Sequence, residues 1–478
     1  MASDPKTNQP LSAEQRAVVE QIVHNNPIIQ KVSAQLHRQH PDSKPYLVGG
    51  LVRDIMLGAP MADVDIDIEV HGVTLDELAT ILSTCGAVNY VGKSFGVLRV
   101  GSADIDWALP RVDSAGRKPQ VAVVDLPIDE ALRRRDLTMN AMAIDLQAFT
   151  LHDPFGGMEA MRKNILRSPD PEFFTQDPLR FYRVMQFIGR FEMYPDAALQ
   201  EVCQQMDIAH VSRERIEMEF NKLFLKSRQP SRGIRWLADL GRLAEIMPEV
   251  AQLRGVEQDP IWHPEGDVFE HTMQALDAAA ALAYTSEHEK LLIMYAALCH
   301  DLGKVSATQH EGDRIHNRGH DVASVPLARA LLHRISTHKS LIDDVCLLVR
   351  WHMSPGQLVG QQQQVTAAAY KRLAAKIAPL SLRLLALVAY ADNRGRNPAR
   401  GVPLTGPVDR VDAFIARAQS AGVWEHKEAP LLVGADLLDV VEPGPELGKL
   451  LARAYEMQID ENITDKAELK RRVLGRKE

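Results

Sequence analysis

The sequence predicts an α+β protein, a mixed N-terminal head followed by a helical body. Three observations predict it. From Tyr46 to residue 160 the chain runs in short β-branched stretches: YLVGG, ADVDIDIEV, GVLRV, ADIDWAL, VAVVDL and MNAMAIDL. One of them, ADVDIDIEV, alternates strictly between acidic and aliphatic residues, the period of a half-buried strand. From Met161 onward strand signals stop and helical patterns take over, as in DPLRFYRVMQFIGRF, RERIEMEFNKLFL and IRWLADLGRLAEIM.

Taken in order, residues 1–45 read as one or two lead-in helices, LSAEQRAVVEQIV following a Ser/Glu capping pattern. Residues 46–160 form the head, with LVRDIMLG and LDELATILSTCG as helices between strands and DPFGG near its end. Residues 161–255 are a helical neck and body, closed by the Pro-bearing break RGVEQDPIWHPEGD. A second helical block, 256–400, carries recurring histidines. The loop RGRNPARGVPLTGP then leads to a helical tail, 401–478.

At 478 residues, 45% hydrophobic and 25% charged, the composition is that of a soluble protein with room for about three compact units. A net charge of −8 excludes a polycationic tail protein and argues against tight non-specific binding to long duplexes. The acidity is local: residues 41–160 hold 10 Lys+Arg against 18 Asp+Glu, while KAELKRRVLGRKE at the C-terminus is basic and reads as a solvated face. No run reaches the ~18 apolar residues of a membrane helix, so no membrane partner is expected. MASDPKTNQPLSAEQ lacks the pattern of a secretory signal. Cys85, Cys203, Cys299 and Cys346 are too scattered for a disulfide framework or zinc ribbon, which suits a reducing cytoplasm.

The densest chemistry is LVGGLVRDIMLGAPMADVDIDIEV. Gly49 and Gly50, between a strand and a helix, let backbone approach a phosphate closely. Asp63, Asp65 and Asp67 project from one face of a strand, and carboxylates so placed persist with water or a shared cation; Mg²⁺ holding substrate phosphates fits them. Asp106, on a later strand, could complete the cage. An edge strand with protective charges is the bland alternative. Further on, Arg134, Arg135 and Asp136 open RRDLTMNAMAID: arginine forks suit phosphate, Asp suits ribose hydroxyls, and Asn140 adds a donor and an acceptor. In TQDPLRFYRVMQF, Asp177 and Arg180 stand at i and i+3, so both side chains are expected on the same helix face, and Arg183 follows one turn later.

At these residues the sequence resembles the class II tRNA nucleotidyltransferases, which add or repair the 3′-terminal CCA and share a polymerase-β-like head with bacterial poly(A) polymerases. The family's Gly-Gly-x-x-Arg-Asp helix and Asp-x-Asp strand match Gly49, Gly50, Arg53, Asp54, Asp63 and Asp65. The resemblance implies that Asp63 and Asp65, with Asp106, hold catalytic Mg²⁺; IDIEV also permits an Asp65–Asp67 pair. It implies that RRD and Asn140 hold sugar and triphosphate, that DPFGG is a hinge, and that Asp177 and Arg180 read the base of CTP or ATP. Gln176 stands where the family usually has Glu. In VSRERIEMEFNKLF, Arg213, Glu214, Arg215 and Glu219 match the last neck motif, expected mainly to brace helices, with contact to RNA by Arg213 or Arg215 as the alternative.

In the histidine block, His271, His300-Asp301, His320, His352 and Asp392 form a constellation of divalent-metal ligand types on helical segments. The order His…His-Asp…Asp and the context LCHDLGK resemble the HD phosphohydrolases. That implies His271, His300, Asp301 and Asp392 as primary ligands, His320 and His352 as ligands of a second metal, Asp301 as the bridge and Lys304 as a phosphate neutraliser. The metal would be a transition ion such as Ni²⁺, Mn²⁺ or Co²⁺. The expected activity is CCA addition to the tRNA 3′ end from CTP and ATP, with an additional HD phosphohydrolase, in a monomer or homodimer. A CC-only or A-only enzyme, a poly(A) polymerase, an HD phosphodiesterase with an RNA-binding head, and a non-catalytic RNA-binding protein remain as alternatives. Gln176 and the Arg111–Asp129 loop bear on the first two.

Overall fold

The computed structural model describes residues 8–61, 65–91, 96–112, 120–121, 126–312, 314–360, 365–399 and 401–475. Asp63 and residues 113–119 and 122–125 of the Arg111–Asp129 loop lie outside the described residues. The chain divides into two compact units, Met1–Val211 and Ser212–Glu478. No single described helix is long and apolar enough to cross a membrane.

The first unit is built on an eight-stranded mixed sheet. From edge to edge it runs Gln9–Pro10, Thr150–His152, Ala143–Asp145, Lys44–Val48, Ile66–His71, Ile105–Ala108, Val97–Val100 and Val88–Val91. Ile66–His71 and Ile105–Ala108 are parallel, with Asp67 opposite Asp106. The acidic alternation works as its period demands: Ile68 and Val70 are buried, as is Trp107, while the acidic residues take the other face. Helix Pro27–Gln39 buries Ile29, Val32 and Leu36 on one stripe and contacts helix Leu75–Ser83, whose start is fixed by a Thr74–Glu77 capping box.

Two elements differ from the sequence expectation. The lead-in segment contributes Gln9–Pro10 to the sheet edge before its two helices, Ala13–Asn25 and Pro27–Gln39. MNAMAIDL is not strand throughout: Thr138–Asn140 is a 3₁₀ turn and the strand starts at Ala143. The Asp136 carboxylate accepts from Leu137 N and Asn140 Nδ2, and this local bonding competes with extension.

The neck helix Leu179–Phe191 buries Phe181, Val184, Met185 and Ile188. A two-residue parallel pair, Ile165–Leu166 with Tyr194–Pro195, adds a strand contact too short to leave a periodic trace. In the second unit, helix Val268–Ala280 is buried from Val268 through Ala279 and contacts Glu287–Cys299 and Leu382–Arg394. A small hairpin, Gln309–Glu311 with Arg314–His316, interrupts the helices. The tail has its own small core of Leu432, Ala454, Ile463, Leu469 and Val473. Its basic residues are answered locally: Lys470 pairs with Asp439, and Arg472 with Glu461 and Glu468.

Candidate functional site

In the first unit the glycine turn, the acidic strand and the RRD segment meet. Gly49 has φ +77, and a Cβ there would lie 3.2 Å from both Asp67 Oδ2 and Arg135 Nη1. Only a glycine lets both side chains close on the turn. Asp65 sits exposed just before the strand, so among the described residues only Asp67 of the expected three aspartates projects from it. Burial raises the Asp67 carboxyl; Arg135 opposes this, and the neighbouring Asp106 and Asp65 add to it. Carboxylates that repel one another this way make a donor set suited to a divalent cation. Asp106 pairs with Arg99, which also reaches Asp104 at 3.0 Å.

A hydrogen-bonded line joins these motifs to the neck helix. Arg53 forks onto Asp54 at 2.8 and 2.9 Å and donates to Asn140 Oδ1 at 2.8 Å. Asn140 donates to Asp136 at 3.0 Å, and Arg183 donates to the other Asp136 oxygen at 2.6 Å. Burial alone would raise the Asp136 carboxyl; Arg183, with Asn140 and Leu137 N–H, holds it at about 2. Its oxygens are thus engaged inside the protein, so Asp136 braces Arg183 and Asn140, a placement its sequence context did not reveal. Arg53 also lies over Phe191 and Phe187, and Arg183 over Phe187.

Asp177 precedes the neck helix rather than standing on it, and its carboxylate accepts from Leu179 N–H at 3.1 Å. Arg180 donates to the carbonyl of Arg134 at 2.7 Å and to that of Phe173. The base-reading candidate and the RRD segment are therefore tied through backbone. Gln176 is exposed and lines a groove of about 450 Å³ with Gln205, Met206 and His210, a lining that includes neither Asp177 nor Arg180. In the second unit, Arg213 donates to the His333 carbonyl at 2.9 Å and Lys222 pairs with Glu219 at 2.8 Å, both bonds between residues of that unit.

The six histidine-block residues converge. Asp301 Oδ2 faces His300 Nε2 at 3.2 Å and His271 Nε2 at 3.6 Å, and Asp392 Oδ1 lies 3.2 Å from His271 Nε2. The other oxygen, Oδ1, faces His320 Nε2 at 3.2 Å and His352 Nε2 at 3.8 Å. His271 and His300 are 3.2 Å apart through Nε2, as are His320 and His352. The Nδ1 atoms of His300, His320 and His352 donate to the carbonyls of Ala297, Asn317 and Val349. Each neutral ring then turns an Nε2 lone pair inward, the tautomer a metal requires.

Electrostatics fit that donor set in part. Burial, then His300 and His320, push His352 down to about 3. Despite burial, His300 and Lys304 hold Asp301 well below the carboxylate range, and Arg396 does the same for Asp392. His271 and His320 go the other way: against burial, their carboxylate partners raise them. Lys304 Nζ lies 2.6 Å from Asp301 and 2.7 Å from Gln258 Oε1. The centre opens into a cavity of about 420 Å³ lined by Trp262, His263, Lys304, Arg318, Arg396 and Arg410 among others. Sequence reasoning missed His263, Glu265 and Arg396. The first two lie in WHPEG, where the proline signalled only a break; the i, i+2 spacing of His and Glu beside a His-bearing helix was the available clue.

Comparison with known proteins gives three matches along the chain. Residues 45–167 match the poly A polymerase head domain, residues 197–253 a probable RNA and SrmB-binding site of polymerase A, and residues 268–393 the HD domain. Nucleotidyltransferase heads and HD domains are metal-dependent families. The chain is 31% identical over 365 residues to a multifunctional CCA protein of Pasteurella multocida, covering 74% of this chain and 84% of the relative. It is 34% identical over 361 residues to one of Aromatoleum aromaticum, covering 73% and 84%. In fold it is similar to a Bacillus stearothermophilus CCA-adding enzyme solved with CTP, with TM-score 0.63, 20% identity and 94% and 99% coverage. It is likewise similar to a Thermotoga maritima CCA-adding enzyme solved with tRNA, with TM-score 0.59, 18% identity and 98% and 99% coverage.

Proposed function

Because the chain belongs to the family of the multifunctional CCA proteins, we propose that it adds and repairs the 3′-terminal CCA of tRNA from CTP and ATP and carries a separate HD phosphohydrolase centre. The observation that carries the first reading is the line Arg53–Asn140–Asp136–Arg183, which ties the glycine-turn helix, the RRD segment and the neck helix together. In this reading the tRNA 3′-oxygen forms a bond to the α-phosphorus, the α–β anhydride bond breaks, and pyrophosphate leaves in line. Gly49 and Gly50 admit the triphosphate to the backbone, and Arg134 and Arg135 offer it cationic forks. Asp177 and Arg180 accept from and donate to the base edge, rejecting bases that leave those groups unpaired.

Asp65 and Asp106, with Asp63 or Asp67, are the residues that would hold Mg²⁺; when bound it neutralises the triphosphate and favours ionisation of the attacking hydroxyl. His271, His300, Asp301 and Asp392 would hold one transition ion and His320 and His352, through Asp301, a second, with Ni²⁺, Mn²⁺ or Co²⁺ suited to imidazole-rich ligation. Lys304 and the cavity arginines would bind the phosphate ester. The four free cysteines fit a reducing cytoplasm.

The test is extension of tRNA transcripts ending before CCA, after C and after CC, each with Mg²⁺ and CTP, ATP or both. Completion of CCA on the shortest transcript is expected, since Gln176 keeps the shape of the glutamate usual at that position and loses only its charge. A stop after CC, or A addition to the CC-ended transcript alone, would instead make it a specialised enzyme. Failure on all three would sink the reading.

A further inference from the structure

We propose that Glu265 is the positioning residue of the HD centre, one buried carboxylate oxygen fixing both the metal-facing imidazole of His271 and the imidazole of His263 in the cavity wall. The inference rests on the reading of this cluster as a metal centre.

Glu265 Oε1 accepts from His271 Nδ1 at 2.7 Å and from His263 Nδ1 at 2.9 Å. The two rings stand edge to face, with centroids 4.8 Å apart. Three of the four candidate ligand histidines satisfy Nδ1 with the carbonyl three residues earlier in their own chain segment: His300 with Ala297, His320 with Asn317 and His352 with Val349. His271 does not. The corresponding carbonyl, that of Val268, is taken by Thr272 Oγ1, and a carboxylate from the preceding loop takes its place.

That carboxylate is costly to keep. The Glu265 side chain is 0% exposed, and its second oxygen has no hydrogen-bond partner among the described residues. A buried carboxylate with one oxygen left unpaired is a poor way to fill space or cap a loop. An ionised acceptor behind a ligating imidazole does something a carbonyl does less well: it fixes the tautomer and makes Nε2 a stronger donor to a metal. The loop is held so that Glu265 cannot drift. Gly255 N–H donates to Asp267 at 2.7 Å, Val268 N–H to the Val256 carbonyl at 3.0 Å, and Gln258 Nε2 to the Gly266 carbonyl at 3.2 Å. Gln258 also accepts from Lys304, so the same loop steadies the cation beside Asp301. Because His263 lines the cavity, the position of the wall follows that of the metal ligand.

The experiment uses the full chain stripped of metal and titrated with Co²⁺, following its visible absorption, in wild type, Glu265→Ala, Glu265→Gln and His271→Ala. Thermal unfolding with chelator present and nucleotide addition serve as controls. Expected are a loss of Co²⁺ affinity of about 10- to 100-fold and a shifted absorption band for Glu265→Ala. Glu265→Gln, which keeps an acceptor oxygen but loses the charge, should fall between it and wild type. Nucleotide addition should be unchanged in both. Wild-type affinity and spectrum in both Glu265 variants would overturn the proposal, as would lowered melting with an unaltered Co²⁺ spectrum, the mark of a purely structural role. If wild type gives no Co²⁺ band and His271→Ala matches it, the metal-centre reading fails, an outcome distinct from failure of Glu265 alone.

Discussion

Asp136 is an aspartate whose charge is used inside the protein. Held at about 2 against an ordinary 3.8, it stays ionised in the fold at pH values where an unfolded chain would take up a proton. A depressed carboxyl contributes stability that is fully present above the unfolded value and is lost as pH falls through the folded one. For Asp136 the window runs from 3.8 down to about 2. The contribution at pH 7 is about 2 kcal/mol, of which roughly half remains at pH 3. Asp136→Asn should therefore lower the unfolding free energy by about that amount at pH 7, and the gap to wild type should narrow with acid. Denaturant unfolding of the two proteins across that range measures it; a gap independent of pH would mean that the Arg183 pair is not its source.

Helix packing in the HD centre turns on Gly303. A Cβ there would fall 2.3 Å from the His320 carbonyl and 2.6 Å from Ser324 N, both backbone atoms. Ser324 Oγ bridges the His300 carbonyl and Gly303 N–H, both at 2.8 Å, so the HD turn and helix His320–Ile335 are joined at this point. Gly303→Ala should force that helix away, cost about 1–3 kcal/mol, and carry His320 off Asp301. Thermal unfolding and hydrolysis of a phosphate ester would fall, while CCA addition would persist. Elements were legible where a periodicity ran long enough: the neck helix follows its pattern from Leu179, and the alternation of the acidic strand holds from Ile66 onward, though Asp65 falls just before it. The candidate ligands were legible as residue types in order. Contacts across chain distance were not. Nothing local says that Arg53 donates to Asn140, 87 residues away, or that Arg183 donates to Asp136, 47 residues away. Two-residue strands such as Ile165–Leu166 leave no period to read.

On the scale of the whole molecule, Met1–Val211 carries the neighbouring carboxylates Asp67 and Asp106, with Asp65 just before the strand, and Ser212–Glu478 carries the imidazole-rich cluster. Two reactions on one chain should then be separable. Asp65→Ala is expected to abolish nucleotide addition and leave phosphohydrolase activity intact, and Asp301→Ala to do the reverse; assays of both activities on both variants decide it. Cross-effects in both directions would rule out two independent centres. Asp301 itself gives one oxygen to His271 and His300 and the other to His320 and His352. In genetic terms its loss is indivisible. In the proposed two-ion centre, substitution of His320 or His352 would leave one ion's ligands intact for drift or selection to act on further, whereas substitution of Asp301 would take a ligand from both ions at once.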